Sequence, residues 1–169
     1  VDALERIGGF TEPTVHPTLG AANEYYYRNK MEFSFGVRWL TAEEMTHLKA
    51  EGKQSTPADQ FALGLHIPRR FDRVLDLREC HLQSQESAAI VNAVREFALA
   101  KELTIYSTFT HTGYLRNLVI RETRHTDQRM VNLVTSEERP ALMGEFRAML
   151  LDRFPATTTI VNNITERKS

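Results

Sequence analysis

One cysteine, one tryptophan and a net charge of −1 are what this chain of 169 residues has least of, and each shortage closes off a class of function. The lone Cys80 excludes an intrachain disulfide framework and suits a reducing compartment. Nor can one thiol build a multi-cysteine metal or cluster site by itself, and the six histidines, at 16, 47, 66, 81, 111 and 125, never fall into HExxH or another tight zinc spacing. Lys+Arg 21 against Asp+Glu 22 argues against a strongly basic nucleic-acid binder, so any RNA contact must come from a local patch. No apolar run approaches membrane-spanning length. The opening Val1-Asp2-Ala3-Leu4-Glu5-Arg6 lacks the apolar stretch of a signal peptide. It also lacks an initiator Met, and the chain reads as a fragment of something longer. The eight glycines make neither GxGxxG nor GxxxxGK[ST], and no GxSxG elbow is present.

What remains is the composition of one globular domain, 41% hydrophobic and 25% charged, long enough to bury a core. Its most informative stretch runs Tyr25-Tyr26-Tyr27-Arg28-Asn29-Lys30-Met31-Glu32-Phe33-Ser34-Phe35-Gly36. Aromatic faces beside fixed positive charge suit unpaired nucleic acid, because rings stack on bases while Arg and Lys meet phosphates. The plain alternative is an aromatic-rich strand with a charged edge.

Met31, Phe33 and Phe35 alternate with polar neighbours, which predicts a half-buried strand running to about Leu40. Before it, residues 2–7 suit a short helical end stopped by Gly8-Gly9, and residues 10–24 an extended connector. Thr41 with Glu44 three residues on predicts a capping box, and residues 51–59 a polar mobile loop. Phe61, Leu63 and Leu65 resume the alternation as the antiparallel partner, with Gly64 marking a close backbone approach or bulge. Arg73 to Leu77 reads as a short strand or bend leading to Cys80. Residues 83–100 form a helix by the spacing of Ile90, Val91, Val94, Phe97 and Ala98. Tyr106 and Phe109 open a strand region, and residues 115–120 and 130–134 make a hairpin about a polar turn at 123–128. A second helix at roughly 138–153 turns Leu142, Phe146, Met149 and Leu150 inward and tolerates Pro140 only in its first turn. The β-branched 157–164 makes a last strand. The expected fold is α+β, a mainly antiparallel sheet with two principal helices packed on one face, as a single domain over 1–169.

Cys80 beside His81 invites a thiol-nucleophile reading. Adjacent residues of an extended segment point to opposite faces, however, so a small core residue is the plainer assignment. Asp72, Asp76 and Glu79 are explained by surface ion pairs with Arg69, Arg70, Arg73 and Arg78. Those arginines, with Arg28, Lys30, Arg116, Arg121 and Arg124, are the only candidate basic patch, and its continuity depends on the fold.

Several local strings then join in order. They are Arg6-Ile7-Gly8-Gly9, Tyr27-Arg28-Asn29-Lys30-Met31-Glu32-Phe33, Leu63-Gly64-Leu65-His66 and Asp76-Leu77-Arg78-Glu79-Cys80-His81-Leu82. After them come Gly113-Tyr114-Leu115-Arg116-Asn117-Leu118-Val119-Ile120-Arg121, Val131-Asn132-Leu133-Val134-Thr135 and Val161-Asn162-Asn163-Ile164-Thr165. The set resembles the central domain of the bacterial RNA uracil-5 methyltransferases, of the kind that methylates ribosomal RNA. The resemblance covers nearly the whole chain.

It implies a cytoplasmic parent enzyme that uses S-adenosylmethionine, with an oligonucleotide-binding-type domain before this one and a Rossmann-like catalytic domain after it. It also implies a 4Fe-4S cluster in many members, three of whose cysteines precede the Arg-Ile-Gly string and whose fourth matches Cys80. The family's cofactor-binding glycine motif, catalytic cysteine and general-base glutamate have no counterpart here. The reaction requires a thiolate and a base beside a flipped uracil. The expectation is therefore a non-catalytic chain that holds no cofactor of its own and positions RNA, through Arg28 and Lys30 first, Arg121 second, and Tyr27 or Tyr26 as a stacking ring. Another reading is a free-standing RNA-binding or protein-interaction module, and a third is a thiol enzyme using Cys80 with His81 or His111.

Overall fold

The computed structural model describes residues 1–52 and 56–166. Six strands form one sheet: β1 (Lys30–Val37), β2 (Phe61–Ile67), β3 (Arg70–Asp76), β4 (Leu115–Glu122), β5 (Arg129–Thr135) and β6 (Thr157–Ile164). Their spatial order is β3-β2-β1-β4-β5-β6. Every neighbouring pair is antiparallel except β5 with β6, which run parallel. That last pair needs a crossover, which α3 (Pro140–Arg153) supplies. α1 (Ala42–Ala50) and α2 (Gln85–Ala100) complete the regular structure, with a short π-helical turn at Ala3–Ile7.

Alternation decides which face is covered. Met31, Phe33 and Phe35 of β1, Phe61 and Leu63 of β2, Leu118 and Ile120 of β4, and Val131 and Leu133 of β5 all point to one side. There they meet Ile90, Val91, Val94 and Ala98 of α2 and Phe146 and Leu150 of α3 in a single core. Phe97 meets Phe146 edge-on with ring centroids 5.6 Å apart, which ties the two helices together. The expected α+β architecture is thus present, and it leaves the other face of the sheet free of helices. Among the described residues, no helix is long and apolar enough to cross a membrane.

Local chemistry accounts for the ends of these elements. Thr41 and Glu44 make the expected capping box, with Glu44 N–H donating to Thr41 Oγ1 at 3.1 Å and Thr41 N–H to Glu44 Oε2 at 2.8 Å. Pro140 occupies the first turn of α3, where its missing N–H has no intrahelical partner to lose. Gly64 is the predicted close approach, since a Cβ there would overlap the Leu75 carbonyl oxygen of β3. Of the loop expected at 51–59, residues 53–55 lie outside the described residues.

Two expectations change. The strand at the Arg73–Leu77 segment starts earlier, at Arg70, because Arg69 at φ 65° closes a tight turn from β2. The strand region expected from Tyr106 and Phe109 is instead a compact turn, with only isolated bridges at Ile105–Leu115 and Ser107–Thr112. Ser107 is the cause. Its Oγ accepts from the Phe109 and Thr110 N–H groups, each at 3.3 Å, and its carbonyl from His111 N–H at 2.8 Å. Side-chain bonding of this kind competes with a strand ladder.

Candidate nucleic-acid interface

Lys30 and Arg121 are register partners across β1 and β4, so their Cα atoms lie side by side at one end of the sheet's central strand pair. Their chain neighbours Met31 and Ile120 are buried under the helices, and alternation therefore sends Lys30 and Arg121 to the helix-free face. Two like charges placed together there repel, and an anion between them relieves that cost.

Arg28 lies elsewhere. Its backbone N–H donates to Leu82 O at 2.8 Å, and its Nη1 lies 3.7 Å from Met31 Sδ, on the core side of β1. It lines a hollow of about 190 Å³ with Ser84, Glu122, Arg124 and Arg129. The fold thus separates Arg28 from Lys30 and joins Lys30 to Arg121. Tyr27 is exposed beside Arg28. Tyr25 and Tyr26 instead pack on His81, with ring centroids 5.9 and 6.0 Å from it, and the Tyr26 carbonyl accepts from Arg124 Nη2.

Arg116 lies on β4 over the Tyr106 ring, whereas the arginines about β3 belong to a different edge. β3 lies two strands from β1, and Arg70, Arg73 and Arg78 are paired there with Asp72 or Asp76. Asp72 thus makes the predicted surface pairs with Arg70 and Arg73, whereas Asp76 is buried and shared between Arg78 and Arg95, so that expectation holds for Asp72 alone.

In the hollow beside Arg28, Glu122 Oε1 accepts from Ser84 Oγ at 2.5 Å and from Arg129 Nε at 3.0 Å. Burial alone would push this carboxyl up. The hydrogen bonds from Ser84 and Arg129, with the Arg129 charge, hold it below its ordinary value. Ser84 is also the N-cap of α2, accepting from Ser87 N–H at 3.0 Å. One carboxylate thus clamps the hairpin of β4 and β5 to the start of the helix.

Cys80 sits in the core cluster, while His81 stands outside between Tyr25 and Tyr26. The adjacent pair therefore diverges, as extended geometry predicts. A 4Fe-4S cluster takes four thiolates, and this chain has one. Among the described residues, no three His, Cys, Asp or Glu side chains gather to hold a metal. The chain alone does not fit the cluster.

What fixes Cys80 in place was not anticipated. Arg95, 1% exposed, donates from Nε to Asp76 Oδ1 at 2.7 Å and from Nη2 to the Leu63 and Leu77 carbonyls at 2.9 and 2.6 Å. Its Nη1 bonds Asn92 Oδ1, and Asn92 Nδ2 reaches Arg78 O at 3.0 Å. Burial pushes the Arg95 guanidinium down, opposed mainly by the Asp76 carboxylate. The segment from Asp76 to Cys80 is thereby bolted to α2. The sequence carries one signal of this: an arginine one position past Val94 on an apolar helix needs an acceptor brought to it.

An open, mainly antiparallel sheet with helices on one face and a cation pair on the other defines the class of this α+β domain. The particular relatives are these. Proteins named as uncharacterized RNA methyltransferases from Chlorobaculum tepidum and Bacteroides thetaiotaomicron are 40% and 38% identical over 99% and 96% of this chain, which spans 34% and 36% of their lengths. A third, from Porphyromonas gingivalis, is 35% identical over 95% of it. The chain thus spans about a third of the length of the curated relatives it matches. The crystal structure of a Pyrococcus abyssi tRNA (uracil-54, C5)-methyltransferase in complex with S-adenosyl-L-homocysteine shares the fold at a TM-score of 0.53. It is 21% identical, over 82% of this chain and 28% of that one. No protein-family profile matches. The chain is a homologue of a segment of bacterial RNA methyltransferases.

Proposed function

We propose that this chain is the central, non-catalytic domain of an S-adenosylmethionine-dependent RNA uracil-C5 methyltransferase, and that it positions RNA for a catalytic domain elsewhere in the protein. Ribosomal RNA is the substrate class that the sequence resemblance favours. The observation that carries the reading is the Lys30–Arg121 pair on the helix-free face, at the end of the central strand pair, in a chain whose relatives are named RNA methyltransferases. Phosphate contacts of this kind fix register and leave the target base to other residues. Arg28 and Tyr27, around the edge of β1, are proposed to hold a second stretch of the same strand.

Binding of a fluorescent single-stranded RNA at several salt concentrations tests this. Each lost phosphate contact lowers the salt slope by about one. Lys30→Ala with Arg121→Ala is expected to weaken binding and flatten the slope by about two on that basis. Unchanged affinity and slope would remove the RNA reading and favour a protein-interaction module.

Cys80 is proposed as one ligand of a 4Fe-4S cluster whose other thiolates come from outside these residues. Its packed position in the core, two residues past the segment that Arg95 and Asn92 hold, supports this, since a ligand held by packing loses little freedom on binding. Iron content and visible absorbance of the whole anaerobically purified enzyme should fall together in Cys80→Ala. Wild-type iron in that variant would show that Cys80 is a core residue only.

A further inference from the structure

We propose that a groove on the helix-free face, between Phe71, Phe109 and the Arg116–Tyr106 pair, takes one unpaired nucleobase of single-stranded RNA; this rests on the RNA-positioning reading above. Phe71 and Phe109 are each 73% exposed, yet their rings lie together with centroids 6.1 Å apart. Two large rings left in water together, on different elements, mark a binding surface. Phe109 is held in place by the Ser107-bonded turn, and Phe71 by β3. Opposite them, the Arg116 guanidinium lies over the Tyr106 ring, 3.9 Å from its centroid, and presents a flat cationic face.

The space between is about 290 Å³. Small-ligand clefts run from roughly 300 Å³ upward, so this one suits a single planar group. Its floor exists because position 36 is glycine: a Cβ there would collide with the Val74 side chain. The floor is also polar, with Asn117 Nδ2 bonded to Ser34 Oγ at 3.2 Å and His66 along the rim. An apolar peptide would leave those groups poorly paired, whereas the edge of a base carries donors and acceptors that match them.

Arg116 and the Lys30–Arg121 pair supply positive charge along the same face, with Glu32 between them and Asp72 on the groove lining, so the strand would meet cations at its two ends rather than throughout. Asn117 in the groove and Arg121 of the cation pair share β4 and, by alternation, point the same way. Four residues of strand separate them by about 13 Å, so one short strand can place a base in the groove and a phosphate at Lys30–Arg121.

The test uses this chain with a short oligouridine carrying fluorescein, and the same oligomer with 5-iodouridine for photo-crosslinking. Phe71→Ala with Phe109→Ala is expected to weaken binding about tenfold to a hundredfold with the salt slope unchanged, the size of one lost stacking platform. Crosslinks should map to Phe71, Phe109 or Tyr106. Phe109→Trp keeps a stacking ring, so it should retain affinity and lose fluorescence when the unlabelled oligomer is added. Wild-type affinity in the double alanine variant, or crosslinks confined to other residues, overturns the groove as a base site and leaves it to a protein partner. If Lys30→Ala with Arg121→Ala weakens binding while the groove variants do not, only this inference falls. No binding by the unaltered chain overturns both readings.

Discussion

Arg95 and Asp76 illustrate how a charged pair in a core fixes geometry. Each guanidinium nitrogen has an acceptor, and Asp76 Oδ1 also accepts from Leu63 N–H at 3.1 Å. The pair is worth little against a well-packed apolar substitute, but breaking it leaves a buried charge unpaired. Asp76→Ala is therefore expected to cost about 3–5 kcal/mol in urea unfolding. A loss below about 1 kcal/mol, the range of exposed pairs, would mean that Arg95 reaches water. Arg95→Met should be milder, because Asp76 keeps a charged partner in Arg78 at 2.8 Å. Asp76→Ala should also raise the rate at which Cys80 reacts with an alkylating agent, since the segment it closes would loosen.

At the scale of elements, Glu122 is where a strand end, a turn and a helix start meet. Its pKa is lowered from the ordinary 4.5 in the fold. A depressed carboxyl contributes stability that is complete above its unfolded value and is lost as pH falls through the folded one. The gap in melting temperature between the wild type and Glu122→Gln should be widest at neutral pH and should close as pH falls below 4.5. A gap that stays constant into acid would mean that the carboxyl contributes shape but not charge. Most elements were legible for a simple reason: the periods of 2 and 3.6 are written into residues that are neighbours in the chain. The turn at Ser107 was not, because Tyr106 and Phe109 look like strand residues while one serine hydroxyl captures the backbone donors beside them. Nor was the parallel direction of β6, since Thr157–Ile164 would suit a strand of either sense.

For the molecule as a whole, the residues proposed to contact RNA split by the same criterion. Lys30 and Arg121 could each be picked out as basic strand residues, but their adjacency follows only from the register of β1 on β4. Arg28 and Lys30 are two apart in sequence and yet serve different sides of the sheet. Phe71 and Phe109 meet only because the chain returns to the same face through the turn after α2. The layers also bear on catalysis. The core is filled by side chains from both principal helices and four strands, and the open face offers room for a base but shows no glycine-rich cradle for a nucleoside cofactor among the described residues. Isothermal titration of this chain with S-adenosylmethionine is accordingly expected to show no tight binding. A micromolar or stronger site would contradict its proposed non-catalytic role.

The seam between β1 and β4 has a consequence for how the chain reaches this state. β1–β2–β3 and β4–β5 are each built from strands that follow one another, so both can form early from short-range contacts. The seam joins the two pieces across about half of the chain's length, and loop closure makes such a contact slow. The paired cations exist only after that closure. If the pair binds RNA as proposed, binding during refolding would report closure of this seam, and ligand present from the start would act on the population that has already closed it.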